Sequence, residues 1–177
     1  DLRLSRGLGD VYKRQQSRRS LGVGYIGLAH FLAKNKVKYD SPEAWRLVHE
    51  LTEHFQYYLL RASNKVAQEK GACEGFLHTK YSDGILPIDT YKKDVDDITP
   101  NDLSLDWGSL REDILSHGLR HSTLSAQMPS ESSSVVSNAT NGIEPPRDYL
   151  SIKKSKKGPL KQIVPGYPHL KLSLIHI

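Results

Sequence analysis

The residues with the clearest capacity for chemistry are Met128-Pro129-Ser130-Glu131-Ser132-Ser133-Ser134, a hydroxyl-rich run between an extended stretch and an expected helix. Residues 130–133 place small donors and backbone N–H groups where a helix would begin. Amides with no intrahelical acceptor, at the positive end of a helix dipole, are suited to holding a phosphate. The same pattern also serves as an ordinary N-cap, in which a serine oxygen accepts from an early helix amide. Read alone, the run leaves both possibilities open.

Three other constellations bear on function. Gly22-Val23-Gly24-Tyr25-Ile26-Gly27 has the G-x-G-x-x-G spacing of a dinucleotide fingerprint, with Asp40 eighteen residues after Gly22. That reading needs an apolar strand before Gly22, and residues 15–20 are polar and basic. Glycines that allow close helix packing are the competing reading. His117 and His121 are spaced like zinc ligands on a helix face. Gly118 falls between them as a helix stop, however, and no third ligand accompanies them. Cys73 follows Gly71-Ala72 in a turn without an identifiable activating partner, so it reads as a structural thiol.

The elements that would carry these residues are legible at a coarse level. Residues 122–128 predict a strand, ended by Pro129. Residues 25–34 predict a short apolar helix. Ser41 is an N-cap with Pro42 in the first turn. From there Ala44, Leu47, Val48, Leu51, Phe55, Tyr58, Leu59, Ala62 and Val66 recur at helical spacing up to Gly71. Residues 74–102 are turn-rich, punctuated by Gly84, Pro87 and Pro100. A further helix starts at Asp106, turns Trp107, Leu110 and Ile114 inward, and stops at Gly118. After the serine run, Asn141-Gly142 predicts a tight turn and Pro145-Pro146 forbids a helix. Residues 149–152 and 162–164 then form a hairpin around Lys153-Lys154-Ser155-Lys156-Lys157-Gly158.

Composition narrows the class. A chain of 177 residues can hold one domain with a modest core, and 37% hydrophobic with 25% charged residues is globular usage. No apolar run approaches the roughly 20 residues of a membrane span, and no apolar stretch follows the charged start as in a signal peptide. A single cysteine excludes an internal disulfide framework and suits a reducing, cytoplasmic setting, which makes the Asn138-Ala139-Thr140 sequon incidental. The net charge of +5 does not indicate nucleic acid: residues 1–15 supply two of those charges, and no aromatic residue interleaves the lysines of the hairpin tip.

Several motifs in order resemble a known family. They are Tyr57-Tyr58-Leu59-Leu60, Gly71-Ala72-Cys73, Gly84-Ile85-Leu86-Pro87-Ile88-Asp89-Thr90-Tyr91-Lys92-Lys93, and Trp107-Gly108-Ser109-Leu110. After seven intervening residues comes Gly118-Leu119-Arg120-His121-Ser122-Thr123-Leu124-Ser125-Ala126-Gln127-Met128-Pro129, and downstream Ser137-Asn138-Ala139-Thr140-Asn141-Gly142-Ile143-Glu144-Pro145-Pro146. Together these resemble the large, catalytic subunit of class I ribonucleoside-diphosphate reductase, over residues 18–171. Asp10-Val11-Tyr12-Lys13-Arg14-Gln15 and Leu172-Ser173-Leu174-Ile175-His176-Ile177 resemble translated sequencing adapters. The expected organisation is therefore a non-native segment 1–15, a C-terminal part of the catalytic barrel domain over 16–171, and a non-native tail 172–177.

The resemblance implies an α/β fold: a partial segment of a ten-stranded barrel, with helices, the last barrel strand and a C-terminal hairpin. It implies reduction of ribonucleoside diphosphates to deoxyribonucleotides by thiyl-radical chemistry. Also implied are a small radical-generating subunit with a metal-radical centre, a dithiol reductant such as thioredoxin or glutaredoxin, ATP and deoxynucleotide effectors, and a homodimer of large subunits. None of the family's catalytic cysteines corresponds to Cys73. The segment is thus expected to hold no catalytic residue and no metal, to bind no cofactor itself, and to be inactive and short of a complete fold alone. Pro129, Ser130, Glu131, Ser132 and Ser133 are implied to line the substrate pocket. In that reading the Ser130 and Ser133 hydroxyls and the Glu131 and Ser132 amides donate to the diphosphate, and Pro129 fixes the turn near the sugar. The Glu131 carboxylate would point away from the diphosphate, at a helix position where the dipole favours it. The family's radical-relay tyrosines lie C-terminal to the serine turn, so Tyr57 and Tyr58 are read as core and rim packing. The competing function is a small nucleotide- or phosphate-binding module that uses residues 22–27 or 130–133.

Overall fold

The computed structural model describes residues 2–98, 102–155 and 158–167. Five α-helices occur among them: α1 (Leu2–Arg18), α2 (Leu28–Lys34), α3 (Pro42–Lys70), α4 (Trp107–His117) and α5 (Glu131–Val136). A two-stranded antiparallel sheet, β1 (Leu150–Ser155) and β2 (Gly158–Ile163), follows α5. The chain divides into two compact units, Asp1–Val23 with His49–Ala126, and Gly24–Val48 with Gln127–Ile177.

Local signals explain where the long helices begin. At α3 the Ser41 hydroxyl accepts the Ala44 amide at 3.2 Å, and Pro42 occupies the first turn, where it needs no N–H partner. Gly71 follows the last residue of α3. At α4 the Asp106 carboxylate accepts the Ser109 amide at 2.9 Å, and Gly118 ends the helix. Between these helices the turn-rich stretch resolves into short 3-10 turns at Phe76–His78, Lys80–Asp83, Pro87–Asp89 and Lys93–Asp97.

The first unit has a hydrophobic core of Tyr57, Leu60, Cys73, Phe76, Leu86, Trp107, Leu110, Ile114, Leu119 and Leu124. One carboxylate lies within it. Glu53 is only 6% exposed, and its Oε1 accepts from the Ser104 amide at 2.9 Å, the Leu105 amide at 3.0 Å and the Trp107 indole at 3.0 Å. Its Oε2 accepts the Ser104 hydroxyl at 2.9 Å. Burial alone would raise the pKa of Glu53, but these hydrogen bonds to its ionised form outweigh burial and lower it. Nearer the surface, Arg111 grips Asp89 with two hydrogen bonds, at 2.8 and 3.0 Å, and also donates to the Gly84 carbonyl.

In the second unit, Leu28, Ala29, Leu32, Ala33, Val37, Ala44 and Val164 are buried. The hairpin pairs Leu150 with Ile163 and continues to Ser155 opposite Gly158, a ladder longer than the sequence predicts. Lys156 and Lys157, in the predicted lysine tip, lie outside the described residues.

Two expectations are corrected, and a third is met only coarsely. Residues 122–128 do not form a strand; the stretch has one isolated parallel bridge, Ser125 to Val23. Its partner is short: residues 21–23 exchange only three backbone bonds with it, from the Leu21 and Val23 amides and to the Val23 carbonyl. A strand needs a partner of matching length, and among the described residues no second segment bridges it. The predicted helix at 25–34 begins only at Leu28, because Gly27 is left-handed at φ +78° and its amide bonds the Thr140 carbonyl at 3.1 Å. The α/β expectation is met only coarsely: helices dominate the described residues, with one small sheet.

Candidate functional site

The serine run opens α5. Ser130 is the N-cap, and the first intrahelical bond runs from the Ser134 amide to the Ser130 carbonyl at 2.9 Å. The amides of residues 131–133 precede that bond, so helix geometry leaves them without an intrahelical acceptor. Ser130 does not cap with its side chain. Its amide and hydroxyl instead donate to one atom, Asn141 Oδ1, at 2.8 and 3.2 Å. The Ser133 hydroxyl donates to the Ser130 carbonyl at 2.9 Å.

Pro129 and Ser132 are exposed, and Ser130 is half-buried. The Glu131 side chain, and with it the expectation that its carboxylate points away, lies outside the described residues. The far end of α5 closes tightly. Asn138 is left-handed at φ +49°, its amide bonds Val135 O at 3.2 Å, and the Ala139 amide bonds Ser134 O at 2.9 Å. These are the paired bonds of a Schellman motif, in which Asn is the usual substitute for Gly. Next to it Thr140 is buried, and its hydroxyl has no hydrogen-bond partner among the described residues.

The structure brings Pro129, Ser130, Ser132 and Ser133 together on one turn and adds Asn141 to them. Sequence reasoning takes Asn141 only as a turn former. No spacing rule links an Asn to an N-cap eleven residues earlier, so its role as an acceptor is visible only in three dimensions.

The other candidates have different surroundings. Residues 2–18 form helix α1, not the apolar strand a dinucleotide fingerprint needs before Gly22, and no strand runs through residues 36–40. His117 is exposed at the end of α4, whereas His121 Nδ1 lies 2.9 Å from the Ser63 hydroxyl. Burial, followed by the Arg120 and Arg19 charges, lowers the His121 pKa. Cys73 is buried, and burial pushes its thiol pKa up, away from a reactive thiolate. Tyr57 is buried edge-on to Trp107 at 5.3 Å, and Tyr58 is half-exposed on the rim. No group of three or more His, Cys, Asp or Glu side chains that could hold a metal converges among the described residues. No described helix is long and apolar enough to cross a membrane.

The serine turn opens a short helix after the Gly118–Pro129 stretch, and one hairpin follows it. Residues 7–173 match the family model of the ribonucleotide reductase barrel domain, and the chain belongs to that family. More particularly, it is 60% identical over 154 residues to "Ribonucleoside-diphosphate reductase 1 subunit alpha" of Salmonella typhimurium (strain LT2), covering 87% of this chain and 20% of that protein. It is likewise 60% identical over 153 residues to the protein of that name from Escherichia coli (strain K12), covering 86% of this chain and 20% of that one. The bacteriophage T4 "Ribonucleoside-diphosphate reductase subunit alpha" is 49% identical over 157 residues, 89% of this chain and 21% of the phage protein. The chain thus spans about one-fifth of the length of the curated relatives it matches.

Proposed function

We propose that this chain is part of the catalytic α subunit of a ribonucleoside-diphosphate reductase, and that its serine turn positions the diphosphate of the substrate. Support comes from the 60% identity to proteins of that name, together with the row of amides at 131–133. In the proposed enzyme a ribonucleoside diphosphate is reduced to a deoxyribonucleoside diphosphate. The radical comes from a smaller partner subunit and the electrons from a dithiol protein such as thioredoxin or glutaredoxin. Deoxynucleotides and ATP act as effectors, and the α subunits pair. The remainder of a ten-stranded barrel completes the site, and its cysteines carry the radical and redox steps. This chain's own contribution is to orient substrate: donors at the mouth of α5 hold the diphosphate, and no bond to the sugar is made or broken by them.

The single observation that carries the reading is that the amides of 131–133 come before the first intrahelical bond of α5, in a turn rich in hydroxyls. Ser132 supplies the sharpest test because it is exposed and sits in the first turn. Ser132→Asp adds a negative charge that a helix N-terminus favours and a diphosphate repels. In the complete enzyme the KM for a ribonucleoside diphosphate is expected to rise about tenfold or more, near the 1.4 kcal/mol scale of one charge contact. The melting temperature should hold. An unchanged KM would remove the turn from the substrate site.

A further inference from the structure

We infer that Asn141 is the positioning residue of the serine turn: a neutral acceptor that occupies both donors of Ser130 and leaves the amides of 131–133 to the ligand. The inference rests on the diphosphate reading above and adds to it the residue that sets the turn's geometry.

Two donors from one residue, the Ser130 amide at 2.8 Å and its hydroxyl at 3.2 Å, converge on Asn141 Oδ1. Only the oxygen of the side-chain amide can accept them, so its orientation is fixed. The Ser130 carbonyl in turn accepts the Ser134 amide and the Ser133 hydroxyl, both at 2.9 Å. Ser130 is therefore held from both sides, and α5 starts at one defined residue.

Asn141 is itself held in place. The carbonyls on either side of it, of Thr140 and Gly142, accept the amides of Gly27 and Leu28 at 3.1 and 3.4 Å. These bonds tie the backbone around Asn141 to the start of α2. The side chain thus projects from an anchored segment, which is what a positioning group requires.

The choice of an amide over a carboxylate follows from charge. An Asp at 141 could accept the same two hydrogen bonds with the same reach. It would also place a negative charge within hydrogen-bond distance of Ser130, at the start of the row of amides offered to an anion. A neutral acceptor sets the turn without opposing the ligand, so the side chain that fits the role is Asn.

The test uses the complete enzyme with three variants, a ribonucleoside diphosphate as substrate and inorganic pyrophosphate as competing probe. Asn141→Ala removes the acceptor, and KM is expected to rise about tenfold with kcat changed less than twofold. Asn141→Asp restores the acceptor and should keep the wild-type melting temperature. Its KM and the inhibition constant of pyrophosphate are nonetheless expected to rise tenfold or more, because the added charge repels both. Raising the ionic strength from 0.05 to 0.5 M should relieve the Asp penalty severalfold and leave the Ala penalty unchanged, since salt screens charge and not lost geometry. A purely structural Asn141 would instead lower kcat and stability together in Asn141→Ala, with Asn141→Asp close to wild type, and that result overturns the inference. Ser132→Asp separates the two levels. If Ser132→Asp raises KM and neither Asn141 variant does, the positioning role fails while the diphosphate site stands. If none of the three changes KM, the diphosphate reading itself fails.

Discussion

Replacement of Glu53 tests how the first unit holds its core together. Glu53 is 94% buried by its 6% exposure, and it accepts four hydrogen bonds, three of them on one oxygen. Glu53→Ala strands the buried Trp107 indole N–H, which costs about 1–3 kcal/mol as an unsatisfied donor. The Ser104 and Leu105 amides lie nearer solvent and can hydrate, so their loss adds about 1 kcal/mol. The expected total is about 3 kcal/mol. Glu53→Gln keeps an acceptor oxygen for the three N–H donors and presents its NH2 to the Ser104 hydroxyl, which can accept. Only the assistance of the charge is lost, about 1–1.5 kcal/mol. Hydrogen exchange at residues 104–107 reads this locally, without two-state unfolding of a large protein. Exchange should accelerate about 100-fold in Glu53→Ala and about 10-fold in Glu53→Gln. The pH dependence has a definite sign. The folded-state pKa of Glu53 lies below its unfolded value of about 4.3, so its stabilisation is complete above that pH and is lost as pH falls through the folded pKa. The Gln variant should lack this acid-side loss. Equal exchange in wild type and Glu53→Ala would refute the reasoning, because it would mean the four bonds do not hold the entry to α4.

Two glycines of the Trp107–Pro129 stretch should respond in opposite ways to alanine. Gly118 sits at φ +74° and ψ −166°, and an added Cβ would fall 2.7 Å from Ala72 Cβ. Strain of about 1–3 kcal/mol and overpacking of similar size should make Gly118→Ala strongly destabilising in a thermal melt. Gly108 lies inside α4 with only Asp106 Oδ1 near, at 3.5 Å, so Gly108→Ala should be neutral or stabilising by up to about 1 kcal/mol. Lys36 is left-handed at φ +59° after α2, where its amide bonds Ala33 O and the Val37 amide bonds Leu32 O. Lys36→Gly should therefore raise stability by about 0.5–1 kcal/mol, read as a higher melting temperature, and a lower one would count against the strain argument.

Local grammar carried much of the sequence reading. Ser41 with Pro42, and Asp106 with Gly118, bound α3 and α4 because a cap needs only residues three or four positions apart. The hairpin was legible as two short runs around the lysine tip, although its ladder extends further than expected, and the order of the motifs alone pointed to the family. The strand expected at 122–128 failed for a complementary reason. Strand propensity describes one chain segment, whereas a strand exists only with a partner, and the described partner at 21–23 is too short. The two polar anchors lay beyond sequence reasoning altogether. Glu53 meets Trp107 across 54 positions, and Asn141 meets Ser130 across 11. Read in sequence, Glu53 is one more charged residue on an amphipathic helix and Asn141 one more turn former. A side chain's partner depends on where the backbone brings distant segments, so the sequence alone determined the family, the limits of α3 and α4 and the serine turn. Tertiary structure decided which distant acceptors hold them.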